Sequence, residues 1–300
     1  MKKREFVVEE ETTLMEFLVK RYEGVSRTRI KEMLAKEVWV DGRKTTQFNY
    51  VLRKGSVVSV ERLEYKERYE PRDLSILYED EYLVVINKAS GLLSNSKNAM
   101  DKSAISELNR YFAYTKQKCN AHIVHRLDRD TSGLMVVSKS KEVSRRFEAD
   151  WKGYVYDRAY VAVVWGKVEK RRDTITTWLT DGEYCVLSSP VDNGGKIAIT
   201  HYEVKQSNGR YSLLELRLDT GRRNQIRVQM REMGNPVVKD PMYGYKEDEA
   251  PIKRLALHAF KLCFKHPITG RELEFVTEYP EEFEQLMGMR VHQAYRREKK

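Results

Sequence analysis

The stretch "AHIVHRLDRDTSGLMVVSKS" (121–140) sets Arg126, Asp128, Arg129 and Asp130 between the apolar pair Ile123-Val124 and the apolar run 134–137. Charge of that density ordinarily marks a solvated loop, yet both flanks read as buried strand. Asp130-Thr131-Ser132-Gly133 has turn chemistry: a short polar side chain able to cap the following N–H groups, then a glycine free to take positive φ. Asp130 therefore has a structural task. Asp128 has none, since it follows Leu127, which should point into the core, and precedes the turn. A carboxylate carried there is either paired with a buried cation or reactive. Metal chemistry is not expected. His122 and His125 have no third ligand nearby in sequence and are assigned hydrogen-bonded structural roles. Cys119, Cys185 and Cys263 lack metal-site spacing and fit small apolar side chains in a reducing compartment. No Walker-type or dinucleotide glycine pattern occurs, so no cofactor is expected.

The elements that must position this stretch fall into two domains, as a chain of 300 residues allows. With 41% hydrophobic residues the chain can bury a sizeable core, and no run approaches the roughly 18 apolar residues of a membrane span. The N-terminus turns acidic before any apolar stretch, so no signal peptide is read and a cytoplasmic location is expected. A net charge of +10 and a pI near 9.3 favour a polyanionic partner, nucleic acid first.

Residues 1–62 read as a small αα-β domain. Leu14, Phe17 and Leu18 mark one helix face, ending near Gly24, and Ser26 can cap a second helix with Ile30, Met33 and Leu34 inward. Val38 and Val40 run into the hairpin signal Asp41-Gly42, and Val51-Leu52, Val57-Val58 and Val60 close the unit. Between positions 20 and 36 stand six cations (Lys20, Arg21, Arg27, Arg29, Lys31 and Lys36) against two acids, Glu23 and Glu32. Arg27, Arg29 and Lys31 start the second helix, where the macrodipole disfavours each by ~0.3–1 kcal/mol. That arrangement suits a phosphate rather than helix stability. A charged linker (63–73) leads to a second domain at 74–289. Strands are expected at 83–86, 134–138, 160–165, 211–218 and 255–264, with helices near 103–113, 141–150 and 224–233. The pattern predicts an α+β fold around a mainly antiparallel mixed sheet, followed by a basic tail at 290–300.

The ten residues "HRLDRDTSGL" (125–134) resemble the catalytic motif of the RluA-type RNA pseudouridine synthases. Four further blocks resemble that family in order: "DEYLVVINKASGLL" (80–93), "RAYVAVVWG" (158–166), "LDTGRRNQIRVQMREMGNPVVKDPMYG" (218–244) and "LALHAFKLCFKHPITG" (255–270). Residues 1–62, with the ending "VWVDGRKTT…VLRKGSVVSV", resemble an S4 RNA-binding domain. The resemblance implies isomerisation of uridine within RNA, without cofactor or metal. It casts Asp128 as the catalytic carboxylate, Arg227 as its cationic partner and Tyr160 as the ring stacked on a flipped uracil. Ile226 would wall the base pocket, and Arg126 would fill the gap left in the RNA. Arg27, Arg29, Lys31 and Arg222 are the expected RNA contacts.

The sequence also departs from the family pattern. Asn224 and Gln229 stand where many members have histidines, Ala89 replaces a proline, and Ser94-Asn95-Ser96 replaces a "VHP"-like ending. Asn224 and Gln229 are expected to alter hydrogen bonds to RNA or to neighbouring loops. Structured RNA is the expected partner, with large-subunit ribosomal RNA as the substrate and transfer RNA as the alternative, handled by a monomer without a membrane or a required protein partner. Two rivals belong to other classes: a catalytically inert RNA-binding or ribosome-assembly factor, and a metal-dependent nuclease using Asp128 and Asp130.

Overall fold

Short apolar runs separated by turns build the first of two units into which the chain divides, Met1–Tyr69 and Glu70–Lys300. The structure, a computed structural model, describes residues 2–22, 27–62, 71, 73–98 and 100–288. The first unit comprises β1 (Lys2–Val7), β2 (Thr12–Thr13), α1 (Leu14–Arg21), α2 (Arg27–Lys36), β3 (Val38–Val40), β4 (Arg43–Lys44), β5 (Val51–Leu52) and β6 (Val57–Arg62). Thr13 and Glu16 form a reciprocal capping box that starts α1. Leu14, Leu18, Ile30, Leu34, Val38, Leu52 and Val58 make its core. Asp41 and Gly42 both take positive φ, 48° and 78°, as the two-residue turn between β3 and β4 demands.

This unit opens on a strand rather than on a helix. β1 pairs antiparallel with β6 and forms the edge of a four-stranded sheet, β1-β6-β3-β4. Its sequence, KKREFV, is charged because an edge strand meets solvent, and that charge hides the strand pattern. The expected cap Ser26, the side chains of Arg27 and Arg29, nearly all of the expected linker and the basic tail lie outside the described residues.

The second unit begins with β7 (Leu74–Glu79), β8 (Leu83–Lys88), α3 (Ala104–Tyr114), β9 (His122–Ile123), β10 (Ser132–Ser138), α4 (Lys141–Ala149) and α5 (Trp151–Tyr154). It continues through β11 (Val155–Trp165), β12 (Arg172–Asp181), β13 (Val186–Ser189), β14 (Lys196–Ser207) and β15 (Tyr211–Leu218). Helix α6 (Gln225–Glu232), β16 (Leu257–Lys265), β17 (Glu272–Val276) and α7 (Glu281–Leu286) complete it. The strands form one 11-stranded sheet in the order β13-β12-β14-β15-β11-β16-β10-β8-β7, with β17 on β16 and β9 on β10. The β10–β16 pairing is parallel, and the others are antiparallel.

The central strands are apolar on both faces because both faces are covered. Val84, Ile86, Met135 and Val137 join Leu108 and Phe112 of α3 in one cluster. Their neighbours Leu83, Val85, Leu134 and Val136 join Val143 and Phe147 of α4 in another. Outward from β15 the sheet is covered on one face only, and β12 and β14 alternate polar with apolar residues. Their sequences, RDTITTWLTD and KIAITHYEVKQS, carry too few apolar residues to stand out from the chain. Helix α6 fills the angle between the two parts of the sheet: Ile226 and Met230 enter the main core, while Val228 meets Leu179 and Ala198. Among the described residues, no helix is long and apolar enough to cross a membrane.

Candidate active site

A cavity of about 790 Å³ opens between the loop before β10, strand β11 and the segment leading into α6. Its lining includes Arg126, Asp128, Tyr160, Arg222, Ile226 and Arg227, so six residues singled out in the sequence share one wall system. Asp128 is held there by its neighbours' backbones. Ser94 Oγ donates to the Leu127 carbonyl at 2.6 Å and accepts from the Leu127 N–H at 3.0 Å. The Gly91 N–H reaches the Arg129 carbonyl at 2.9 Å, and Ser90 Oγ reaches the Asp130 carbonyl at 2.6 Å. Lys88, fully buried, donates to the carbonyls of Ala89, Leu92 and Arg129 at 2.8–3.0 Å. Burial pushes its ammonium down to about 8, against the pull of Asp130 and Asp128. The 88–94 segment is thus a clamp on the backbone either side of Asp128.

The turn after Asp128 differs in detail from expectation. Gly133 takes positive φ, and a Cβ there would lie 2.3 Å from the Ala259 carbonyl oxygen. Asp130 does not spend its carboxylate on capping: it pairs with Arg129 Nε at 3.1 Å. The Thr131 N–H is instead taken by the Asp128 carbonyl at 3.1 Å. Leu127 is buried, as its position requires.

Arg227 has two acidic neighbours. Its Nε and Nη2 grip Asp240 bidentately at 2.7 and 2.8 Å, while Nη1 lies 3.8 Å from Asp128 Oδ2. Nη1 also donates to Asn224 Oδ1 at 2.9 Å. Asp240, not singled out from the sequence above, is the acid that holds Arg227 most closely. Its signal was an acid directly after the apolar pair Val237-Val238 and Lys239, within "VVKDPMYG", but no periodicity links it to Arg227. Burial raises the Asp128 carboxyl above its ordinary value, and Asp240 adds to that rise. Arg227, Arg126 and the Asn224 backbone N–H oppose it.

Asn224 and Gln229 both face inward, so neither is available to RNA. Asn224 adopts the left-handed conformation, φ 53°, tolerable for asparagine, and caps α6 without a side-chain bond to its N–H groups. Its side chain serves Arg227 and the Tyr243 hydroxyl instead. Gln229 accepts from Thr200 Oγ1 at 2.6 Å and donates to Thr177 Oγ1 and the Ala198 carbonyl, tying α6 to β12 and β14.

Tyr160 is buried on β11, and burial holds its hydroxyl neutral, above the ordinary phenol value. The Arg158 guanidinium, two residues before it, opposes that rise and donates to the Thr220 carbonyl at 3.0 Å. Ile226 is buried at the cavity wall, and Arg126 and Arg222 are exposed at its mouth. His125 accepts from the Val136 N–H at 3.1 Å, and burial lowers its pKa to about 3, leaving a neutral ring. Lys31 is exposed on α2 of the first unit.

The chain is similar to known proteins along most of its length. The model of the RNA pseudouridylate synthase family matches residues 82–232. RNA pseudouridine synthase YjbO of Bacillus subtilis is 32% identical over 261 residues, covering 85% of this chain and 91% of that protein. Ribosomal large subunit pseudouridine synthase D of Vibrio cholerae is 33% identical over 287 residues, covering 87% and 86%. Human RNA pseudouridylate synthase domain containing 4 has a similar fold, with a TM-score of 0.58 at 22% identity over 71% of this chain and 92% of that one.

Proposed function

The chain belongs to the RNA pseudouridylate synthase family and is an RNA-modifying isomerase, and from that premise we propose that it converts uridine to pseudouridine in large-subunit ribosomal RNA, with Asp128 as the catalytic carboxylate. The observation that carries the assignment is the setting of Asp128: shielded in a cavity, clamped through the backbone of Leu127 and Arg129, and faced by Arg227 and Tyr160. The reaction breaks the bond between C1′ and N1, turns the base and joins C1′ to C5. The C5 hydrogen leaves as a proton, and N1 gains one. Attack by Asp128 requires the ionised acid, which Arg227 and Arg126 favour against burial. Tyr160 and Ile226 flank the uracil, and Arg126 at the mouth takes the place of the flipped nucleotide, whose extrusion costs a few kcal/mol.

Large-subunit RNA as the substrate is supported by the relatives from Vibrio cholerae and Escherichia coli, whose names specify that subunit. Residues 1–62 act as an S4-like RNA grip, with Lys31, Arg27 and Arg29 at the start of α2 and Arg222 at the cavity mouth as contacts. The protein works as a monomer in the cytoplasm. The test is tritium release from C5-labelled uridine in ribosomal and transfer RNA lacking their modifications, with wild type beside Asp128→Asn. Release by wild type from large-subunit RNA, with none from the variant and RNA affinity retained, is the expected result. Release by wild type from transfer RNA alone overturns the substrate, and equal release by the variant overturns the role of Asp128.

A further inference from the structure

Uracil, Asp128, Tyr160, Ile226 and Arg227 account for one end of the cavity only. The other end runs past Val124 and His125 to Ser144 and Glu148 of α4 and Trp151 and Lys152 of α5. At about 790 Å³ the whole space lies high in the range of roughly 300–1,000 Å³ that encloses drug-sized ligands, and one pyrimidine ring leaves most of it unfilled. We propose that this second end is a subsite, centred on Trp151, that stacks another nucleobase of the substrate strand close to the target uridine. The inference rests on the RNA-modifying reading above and extends it to a specific neighbour.

The composition of the subsite carries the argument. Trp151 is half-buried and lines the cavity, rather than being sealed in the core behind it. The Arg158 guanidinium stands over its ring at 5.6 Å, and the His125 ring lies 5.2 Å away at 48°. Arg158 cannot swing freely, because its Nη2 is bonded to the Thr220 carbonyl. His125 is neutral and so presents an aromatic surface rather than a charge. Indole, imidazole and a fixed guanidinium are the groups on which unpaired bases stack, whatever their sequence. Lys152, exposed beside Trp151, supplies the positive charge that a connecting phosphate needs. Because Arg158 lines the cavity together with Tyr160, close enough for its charge to act on that hydroxyl, one side chain joins the two ends, and a base at Trp151 would fix the strand relative to the uracil pocket.

The test uses the full chain and the RNA segment it protects from nuclease within unmodified large-subunit RNA. Affinity is measured for that segment intact and with single abasic substitutions across it, for wild type, Trp151→Leu and Trp151→Phe. In wild type, one abasic position near the target should weaken binding about tenfold, the worth of a stacked base. Trp151→Leu keeps apolar bulk and should weaken binding of intact RNA comparably, with no further loss at that abasic position. Trp151→Phe should restore the sensitivity. If every abasic penalty is the same in wild type and Trp151→Leu, no base stacks on Trp151 and the proposal fails. Tritium release from the same segment judges the isomerase reading separately, since the affinity coupling does not depend on turnover.

Discussion

Two aspartates face the guanidinium of Arg227 from different loops, and their surroundings differ sharply. The Asp240 side chain has no exposed surface and accepts four bonds: two from Arg227 and one each from the N–H groups of Met242 and Tyr243, at 2.7–2.9 Å. The Asp128 side chain is 21% exposed to the cavity and lies 3.8 Å from the same arginine. A buried carboxylate held by four hydrogen bonds is fixed in place. One that is shielded, partly neutralised and left with open lone pairs is free to react. Arg227 is therefore an intermediary: Asp240 holds two of its nitrogens, and the third, bonded to Asn224, also stands 3.8 Å from Asp128.

The comparison can be broken first by stability. Asp240→Asn should destabilise the protein by about 3–5 kcal/mol, because it leaves Arg227 buried with its principal partner gone. Asp128→Asn should move stability by less than about 1 kcal/mol, since it removes a carboxylate that burial already disfavours. Denaturant titrations of both decide the matter, and equal losses would make the two aspartates structurally equivalent. Next in size is Ser94→Ala, which removes both side-chain bonds to Leu127. Turnover should fall about tenfold, a loss of roughly 1.4 kcal/mol in the barrier, with KM little changed and Ser94→Thr restoring part of it. The smallest effect is on the pH profile. Because the Asp128 carboxyl is raised, kcat/KM should fall with decreasing pH through a midpoint above its ordinary 3.8. Asp240→Asn removes a like charge and frees Arg227 to turn to Asp128, so it should move that midpoint to lower pH. A midpoint that stays put would mean that Asp240 acts on stability alone.

Much of this was legible in the residues themselves. Strand β15 falls on 211–218, as its apolar run indicates, and the oddity of Asp128, an acid between buried strands with no turn duty, points directly to the cavity. What the sequence hides are partnerships made across space. The clamp from Ser90 and Ser94 joins residues more than thirty positions apart, and serines in a polar loop carry no sign of it. Arg227 advertises a carboxylate partner, but not that a second acid holds it more closely. Asn224 and Gln229 look like surface polar residues of an amphipathic helix. They are buried because α6 is wedged between two parts of the sheet, and half-covered strands such as β12 and β14 have too little apolar signal to foretell that wedge.

The parallel seam between β10 and β16 has a consequence for biosynthesis. The loop bearing Asp128 enters the sheet at this seam, where Gly133 passes against Ala259. Ser132 there accepts from Arg254 at 2.6 Å and bonds His258 Nδ1 at 2.7 Å, across 126 positions of sequence. Non-local pairings of this kind close late, because the loop entropy is lost before the contact is gained. On the ribosome, the N-terminal side of the site, with the 88–94 clamp and Asp128, is made long before β16 leaves the exit tunnel. The nascent chain therefore carries Asp128 unseated until β16 is free, and the site is completed only when that strand pairs with β10.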